Sequence, residues 1–360
     1  MFVAWRDLRF AKGRFTLMGT VIVLITLLVG LLSGLTAGLA RENVSAITGL
    51  PADRLAFAAP PDGQSVSFTN STVTESEWRS WAGRPGVTGA EPLGIRTLNA
   101  TAGDRTAALS AFGTEPGAGI APESGRLGPG KAVLSESAAE ELGVSAGDPV
   151  RLGTLEATVV AVAGDASYSH TPVVWTSLAD WQKFGHSGTT PEEQATVIAL
   201  TGSGVDWAAG DEAAGTAAKT VDEALGAIGS YQAENGSLQL MRGFLFVISA
   251  LVIGAFFTVW TIQRSADVAV LKALGASTPY LLKDALGQAV VMLGAGTLLG
   301  TGLASGTGAL ISGGDVPFVL QPLTVLGPAA VMIVLGVLGA ALSIRRITAV
   351  DPLTALGSAR

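Results

Sequence analysis

The chain has 360 residues, of which 48% are hydrophobic and only 14% charged, against about a quarter charged in ordinary soluble domains. Cysteine is absent and there are two histidines, His170 and His186, which excludes disulfides, thiolate metal sites and cysteine nucleophiles. The net charge of −7 offers no basic face for nucleic acid, which is not expected as a partner.

In chain order, Phe2, Trp5 and Leu8 come first, at i, i+3 spacing with basic residues on the other side. The pattern predicts either a short helix lying in the inner membrane interface or a plain charged flank. Four apolar stretches follow, at roughly 15–40, 243–262, 286–312 and 322–344, each long enough to span a bilayer, which takes about 20 residues. The first is longer than the about 7–15 apolar residues of a signal peptide, so it is expected to be a retained helix. It carries Gly30, Gly34 and Gly38 at four-residue spacing, which suits a helix–helix or dimer contact or marks an ordinary glycine-rich membrane helix. The third span holds Gly296/Gly300 and Gly302/Gly306.

Lys and Arg lie ahead of span one (Arg6, Arg9, Lys12, Arg14), between spans two and three (Arg264, Lys272, Lys283) and after span four (Arg345, Arg346, Arg360). The loop between spans three and four, "SGGDVPFVLQ", has none. The positive-inside rule then predicts a multi-pass protein of the cell membrane, with both termini cytoplasmic and residues about 41–239 outside. That outer segment holds 11 Lys/Arg and 24 Asp/Glu, a net −13, against +6 for the rest.

The expected fold class is α+β: four transmembrane helices with a large mixed α/β extracytoplasmic domain between helices 1 and 2. The expected domains are 1–40 (interfacial helix and helix 1), 41–239 (the outer domain) and 240–360 (helices 2–4 with a cytoplasmic helix at about 264–278). Within the outer domain, "KAVLSESAAEELGV" reads as a strand, then a helix with Ser137 and Glu140 in capping-box spacing and Gly143 as its stop. "DPVRLG" and "LEATVVAVAG" read as a strand pair. The alanine-rich 204–228 stretch reads as helix.

"GRLGPGKA" (125–132) resembles a phosphate-binding loop, with Gly125, Gly130 and Lys131 in place. The next residue, which should be Ser or Thr to hold magnesium, is Ala132, and the stretch precedes a strand instead of following one. It also falls on the outer side, where ATP is not at hand. No G-x-S-x-G or H-E-x-x-H is present, so nothing supports an anchored hydrolase, and no enzyme activity is expected of the chain.

Between spans two and three stands "DVAVLKALGAS" (267–277). Val268, Leu271 and Leu274 share a face, Gly275 suits a left-handed C-cap, and Ser277-Thr278-Pro279 restarts a helix. The result is a short cytoplasmic helix with an apolar ridge that needs a groove to bury it. This motif resembles the coupling helix of FtsX/MacB-type ABC transporter permeases, and the terminal "DPLTALGSAR" resembles that family's closing motif. The layout of one helix, a large outer domain and three more helices agrees over essentially the whole chain. The resemblance implies that Asp267, Val268, Leu271, Lys272, Leu274 and Gly275 couple to a separate cytosolic ABC ATPase, which carries ATP-Mg. It also implies that the permease works as a homodimer and that movement passes through long helices to the outer domain. The chain itself needs no intrinsic cofactor.

"GLARENVS" (38–45), "SYSHTPVVWTSLADWQ" (167–182), "SYQAEN" (230–235) and "FFTVWTIQR" (256–264) further resemble the haem-efflux branch of that family (HrtB type). The cargo implied is haem, taken from the membrane lipids. Candidate cargo contacts are Arg41, Glu42 and Asn43 after span one, and Tyr231, Glu234, Met241 and Arg242 before span two. Arg41 or Arg242 can pair with a propionate. Tyr231, Glu234 or Met241 can approach the iron, and no other metal site is expected. Each also has a structural role to hand: headgroup snorkelling for Arg, the interfacial belt for Tyr and packing for Met. Tyr168 and His170 are expected to be structural, and His186 to be a loop residue. The alternatives are export of another hydrophobic compound (an antimicrobial peptide or lipid) and a cargo-free mechanotransmission permease.

Overall fold

The computed structural model describes residues 12–184, 194–263, 270–272, 274–311 and 316–348. Phe2, Trp5, Leu8, His186, Asp267, Val268 and the terminal 351–360 motif lie outside these residues. The elements in order are α1 (Lys12–Thr48), β1 (Arg54–Ala58), β2 (Val73–Thr74), α2 (Glu75–Ala82), β3 (Val87–Ala102), β4 (Arg105–Thr114), β5 (Lys131–Leu134) and α3 (Glu136–Leu142). Then come β6 (Pro149–Leu152), β7 (Leu155–Val162), β8 (Ser167–Tyr168), β9 (Thr171–Ser177), α4 (Leu178–Lys183), β10 (Gln194–Ala195), β11 (Val197–Gly202), α5 (Trp207–Ala214) and β12 (Thr216–Thr220). The chain continues with α6 (Val221–Ala224), α7 (Gly229–Gln263), α8 (Thr278–Ile311) and α9 (Pro322–Thr348). It divides into two compact units, Met1–Gly38 with Ser237–Arg360, and Leu39–Gly236.

In the first unit, α1, α7, α8 and α9 each contain a stretch long and apolar enough to cross a membrane. Met18, Ile22, Phe257, Leu293 and Met332 are buried together among the helices. Leu298, Leu310 and Leu323 are 75%, 89% and 82% exposed. That pattern suits helices in lipid, whose tails are as apolar as leucine.

The glycine stripe of α1 has partners inside the chain. A Cβ on Gly30 would come 2.8 Å from that of Ala304 on α8. One on Gly34 would run into the Phe318 ring, and one on Gly38 into the Pro317 carbonyl. The Val319 N–H donates to the Gly34 carbonyl at 3.1 Å. The loop between α8 and α9 is thus seated on α1, where only glycine leaves room for it. Gly296 and Gly300 bring α8 onto Ile22 and Thr26 of α1, whereas Gly302 and Gly306 meet nothing within 4 Å.

In the second unit the main sheet runs β12-β1-β11-β3-β4-β9-β5-β7-β6, and β6 returns to β3 through Ala100↔Leu152 and Thr101↔Arg151. Six strands therefore close on themselves, and β11, β1 and β12 extend the sheet from β3. Trp81, Leu109, Leu134 and Leu152 anchor one buried cluster, and Phe57, Leu93, Phe112 and Trp175 anchor a second.

Three local expectations need correction. The helix cap before α3 is Ser135, whose side chain accepts from the Ala138 N–H, while Ser137 donates to Asp165. The helix starts two residues earlier than the Ser137–Glu140 spacing suggested. The alanine-rich 204–228 stretch is not one helix. Gly215 ends α5 in the left-handed conformation, and Thr216–Thr220 pairs with all of β1. Sheet pairing there overrides the helical preference of alanine. Finally, α1 runs on to Thr48, past the expected end of helix 1 at residue 40, so Arg41, Glu42 and Asn43 continue the helix. Val44 and Ile47 of that extension are buried in the second cluster.

At the phosphate-loop look-alike, Gly130 has φ of 68° and its N–H donates to the Asp180 carboxylate at 2.7 Å. Asp180 is 1% exposed and pairs with Lys183. A carboxylate already holds the donor that a phosphate would need.

Candidate functional site

The extension of α1 carries Glu42 and Asn43 into the second unit, where they meet the β8–β9 turn and the first turns of α7. The turn is tight because Ser169 and His170 both take positive φ, 51° and 62°. Such φ values are uncommon outside glycine, with His among the residues that tolerate them best. The Ser169 and His170 N–H groups donate to the Asn43 and Glu42 carbonyls at 3.0 and 3.3 Å, which fixes the turn to the helix.

The side chains then form one network. His170 Nε2 lies 2.9 Å from Glu234 Oε2. Asn43 Nδ2 donates to the same Glu234 oxygen at 3.3 Å and lies 3.1 Å from His170 Nε2. An ionised carboxylate only accepts, so the imidazole hydrogen facing Glu234 sits on Nε2. Asn43 Oδ1 accepts from Ser230 Oγ at 2.7 Å, and Ser230 meets Ser169 Oγ at 2.8 Å. Asn43 is 1% exposed, so this single amide is satisfied at both ends in a dry place. His170 Nδ1 faces Glu42 Oε2 at 3.7 Å. The imidazole therefore stands between two carboxylates, and His170 and both glutamates remain partly open to solvent.

Of the candidates read from the sequence, Glu42, Asn43 and Glu234 come together. Arg41 is exposed one residue away. Tyr231 is half-buried and packs on the second core cluster, not in the polar network. Met241 and Arg242 fall in the membrane unit, where Met241 is 50% exposed and the buried Arg242 Nε has no hydrogen-bond partner among the described residues. His170 was expected to be structural, and its place in the network was missed. Its partners are 64 and 127 residues away. The usable signal was that one of only two histidines sits in a turn that accepts positive φ.

Chemically, the network presents two carboxylates and an imidazole beside one another, a donor set of oxygen and nitrogen that can meet a metal centre or a cation. Among the described residues no group of three His, Asp or Glu has the geometry to hold a free metal ion.

At the other candidate region, residues 270–272 are helical and Gly275 has φ of 93°. The Ala276 N–H donates to the Leu271 carbonyl at 2.9 Å, and the Gly275 N–H to that of Lys272 at 3.0 Å. This pair of bonds is the Schellman arrangement, which ends a helix and reverses the chain. Leu274 is 80% exposed, Leu271 and Lys272 are half-buried, and the Ser277 carbonyl opens α8 by accepting from Tyr280 and Leu281.

Comparison with known proteins places these features. Residues 15–217 match the model of the MacB-like periplasmic core domain, and residues 240–352 match that of the FtsX-like permease C-terminal region. Over the full chain, the protein is 26% identical to a Staphylococcus epidermidis protein named as hemin transport system permease protein HrtB, covering 99% of each chain. A Staphylococcus haemolyticus protein of the same name is also 26% identical at 99% coverage of each. An uncharacterised ABC transporter permease of Mycobacterium tuberculosis is 24% identical, again over 99% of each. Among solved structures, the extracellular domain of the transporter YknZ from Gram-positive bacteria is 16% identical, with TM-score 0.32 over 48% of this chain and 91% of that one. The periplasmic region of MacB from Actinobacillus actinomycetemcomitans is 12% identical, with TM-score 0.36 over 49% and 92%. Permease subunits of ABC transporters are normally not enzymes, and their family implies a cytosolic ATPase partner. The chain belongs to the ABC transporter permeases of the MacB/FtsX type and is a multi-pass membrane protein.

Proposed function

We propose that this permease exports haem from the membrane, using ATP hydrolysed by a separate cytosolic subunit. The observation that carries the proposal is the end-to-end likeness to proteins of two staphylococci named as hemin transport permeases. The polar network supports it. Haem is a flat apolar ring with an iron and two propionates, and it partitions into lipid. A pump for it needs an iron ligand and cations beside the apolar phase. Glu42, His170 and Glu234 offer oxygen and nitrogen ligands on one network. Tyr231 is occupied in core packing, so Glu234 and His170 are the stronger iron ligands. Arg41, next to Glu42 in the chain, supplies charge for a propionate.

In this account two copies assemble as a homodimer, with both termini of each in the cytoplasm and residues 41–239 outside. The segment ending at Gly275, with exposed Leu274, docks into the ATPase. ATP-driven movement then passes along α1 and α7, which are unbroken helices from Lys12 to Thr48 and from Gly229 to Gln263. The test is efflux from lipid vesicles holding the permease with its ATPase. Haemin should leave the membrane only with ATP, and Leu271→Asp should abolish both efflux and ATPase co-purification while insertion persists. ATP-independent loss of haemin, or an ATPase that still co-purifies with the variant, contradicts the proposal.

A further inference from the structure

A cavity of about 320 Å³ opens in the outer domain, within the about 300–1,000 Å³ range of small-ligand sites. None of Glu42, Asn43, His170 and Glu234 lines it. One wall is built around Trp181 of α4. Gly94 of β3 and Gly113 of β4 are cross-strand partners, and a Cβ on either would collide with Trp181. The two glycines thus make a flat seat on which the indole lies. Trp181 is 5% exposed, yet its Nε1 has no hydrogen-bond partner among the described residues. Buried polar atoms are nearly always paired, and an orphaned donor costs about 1–3 kcal/mol.

Two residues along β3 from Gly94, and so on the same strand face, Arg96 lays its guanidinium over the Trp181 ring at 5.3 Å. Arg96 is half-buried and lines the cavity. It is also the only charged residue among the described lining residues, in a segment whose net charge is −13. The stacked guanidinium keeps its in-plane N–H donors available.

Two other polar groups of the wall are already used. Ser71 Oγ donates to the Thr196 carbonyl at 2.6 Å, and Thr196 Oγ1 accepts from the Ile95 N–H at 2.8 Å. Tyr168 lines the cavity too, and burial pushes its hydroxyl pKa up, so that it stays a neutral donor. The rest of the wall sets Phe68, Ile95 and Ala195 beside Thr69, Thr72, Thr97 and Gln194. The cavity therefore combines an apolar patch with one cation among its described lining residues.

We propose that this cavity binds a small organic monocarboxylate with a flat or short apolar body, its carboxylate on Arg96 and its apolar part against Phe68 and Trp181. One cation with no second beside it matches a singly charged acid better than a phosphate. The site is separate from the haem proposal and stands or falls without it.

The test is calorimetric titration of the full chain in detergent with phenylacetate, indole-3-acetate and hexanoate, each beside an amine of matched size. At least one acid should bind saturably at one site per chain, and no amine should. Arg96→Gln should weaken that acid by about tenfold or more, the loss expected of a charge-assisted bond. Absence of saturable acid binding, equal binding of acid and amine, or wild-type affinity in a folded Arg96→Gln variant would overturn the proposal. The acid–amine comparison is made on the wild type and does not depend on any variant folding.

Discussion

In the membrane unit, three buried hydroxyls donate to a carbonyl one turn back on their own helix: Thr36 to Leu32 at 2.7 Å, Ser249 to Leu245 at 2.6 Å and Thr261 to Phe257 at 2.5 Å. In the outer unit, hydroxyls also join segments far apart in sequence. Ser71 reaches Thr196 across 125 residues, and Ser230 reaches Asn43 across 187. The difference follows from the surroundings. Lipid offers no water, so a helix satisfies its polar groups locally and packs through shape. The outer domain must hold a turn, a helix end and a sheet in register, and it does so with long-range polar ties as well as core burial.

Substitutions can break or sharpen that contrast. The largest effect is expected for Trp81→Ala. Trp81 is fully buried and donates to Thr216 Oγ1 at 3.0 Å, so its loss should destabilise the outer domain by about 3–5 kcal/mol. Limited proteolysis should then cut the outer domain while the membrane helices stay protected. Next comes Asn43→Ala, which strands Ser230 and removes a donor from Glu234, at about 1–3 kcal/mol. Chemical unfolding followed by tryptophan fluorescence measures it, and an unchanged midpoint would show that the network is not holding the turn.

In the membrane unit shape should matter more than polarity. Gly34→Leu drives a side chain into Phe318 and should cost about 1–3 kcal/mol through overpacking, read as a lower thermal midpoint in detergent. Thr36→Val keeps the shape and removes only a local bond, and its effect should be near 0.6 kcal/mol, the average for membrane hydrogen bonds. If Thr36→Val proved as damaging as Asn43→Ala, the contrast between the units would fail.

Much of the architecture was legible because apolar runs of this length have few alternatives. The four spans and the outer domain follow from hydropathy and Lys/Arg placement. The Gly275 stop was legible too, because left-handed caps depend on one residue. What escaped depends on distant partners. "TAAKT" reads as helix until β1 is placed beside it. Helix 1 reads as ending at residue 40 until Val44 and Ile47 of "RENVSAIT" find the core. In the candidate site, Glu42, Asn43 and Glu234 could be named from their positions at the helix ends. His170 could not, because no local pattern ties it to residues on two other segments. The Arg96–Trp181 cavity was invisible for the same reason: two glycines on paired strands make room for a ring from a helix further on.

The most direct measurement is an absorbance titration of haemin into the detergent-purified full chain, wild type beside a His170→Ala/Glu234→Gln double variant. A saturable Soret shift at one haem per chain or per dimer, weakened about tenfold or more in the variant, is the predicted result. No saturable shift in the wild type, or an identical titration of a folded variant, would contradict the assignment of haem to this network.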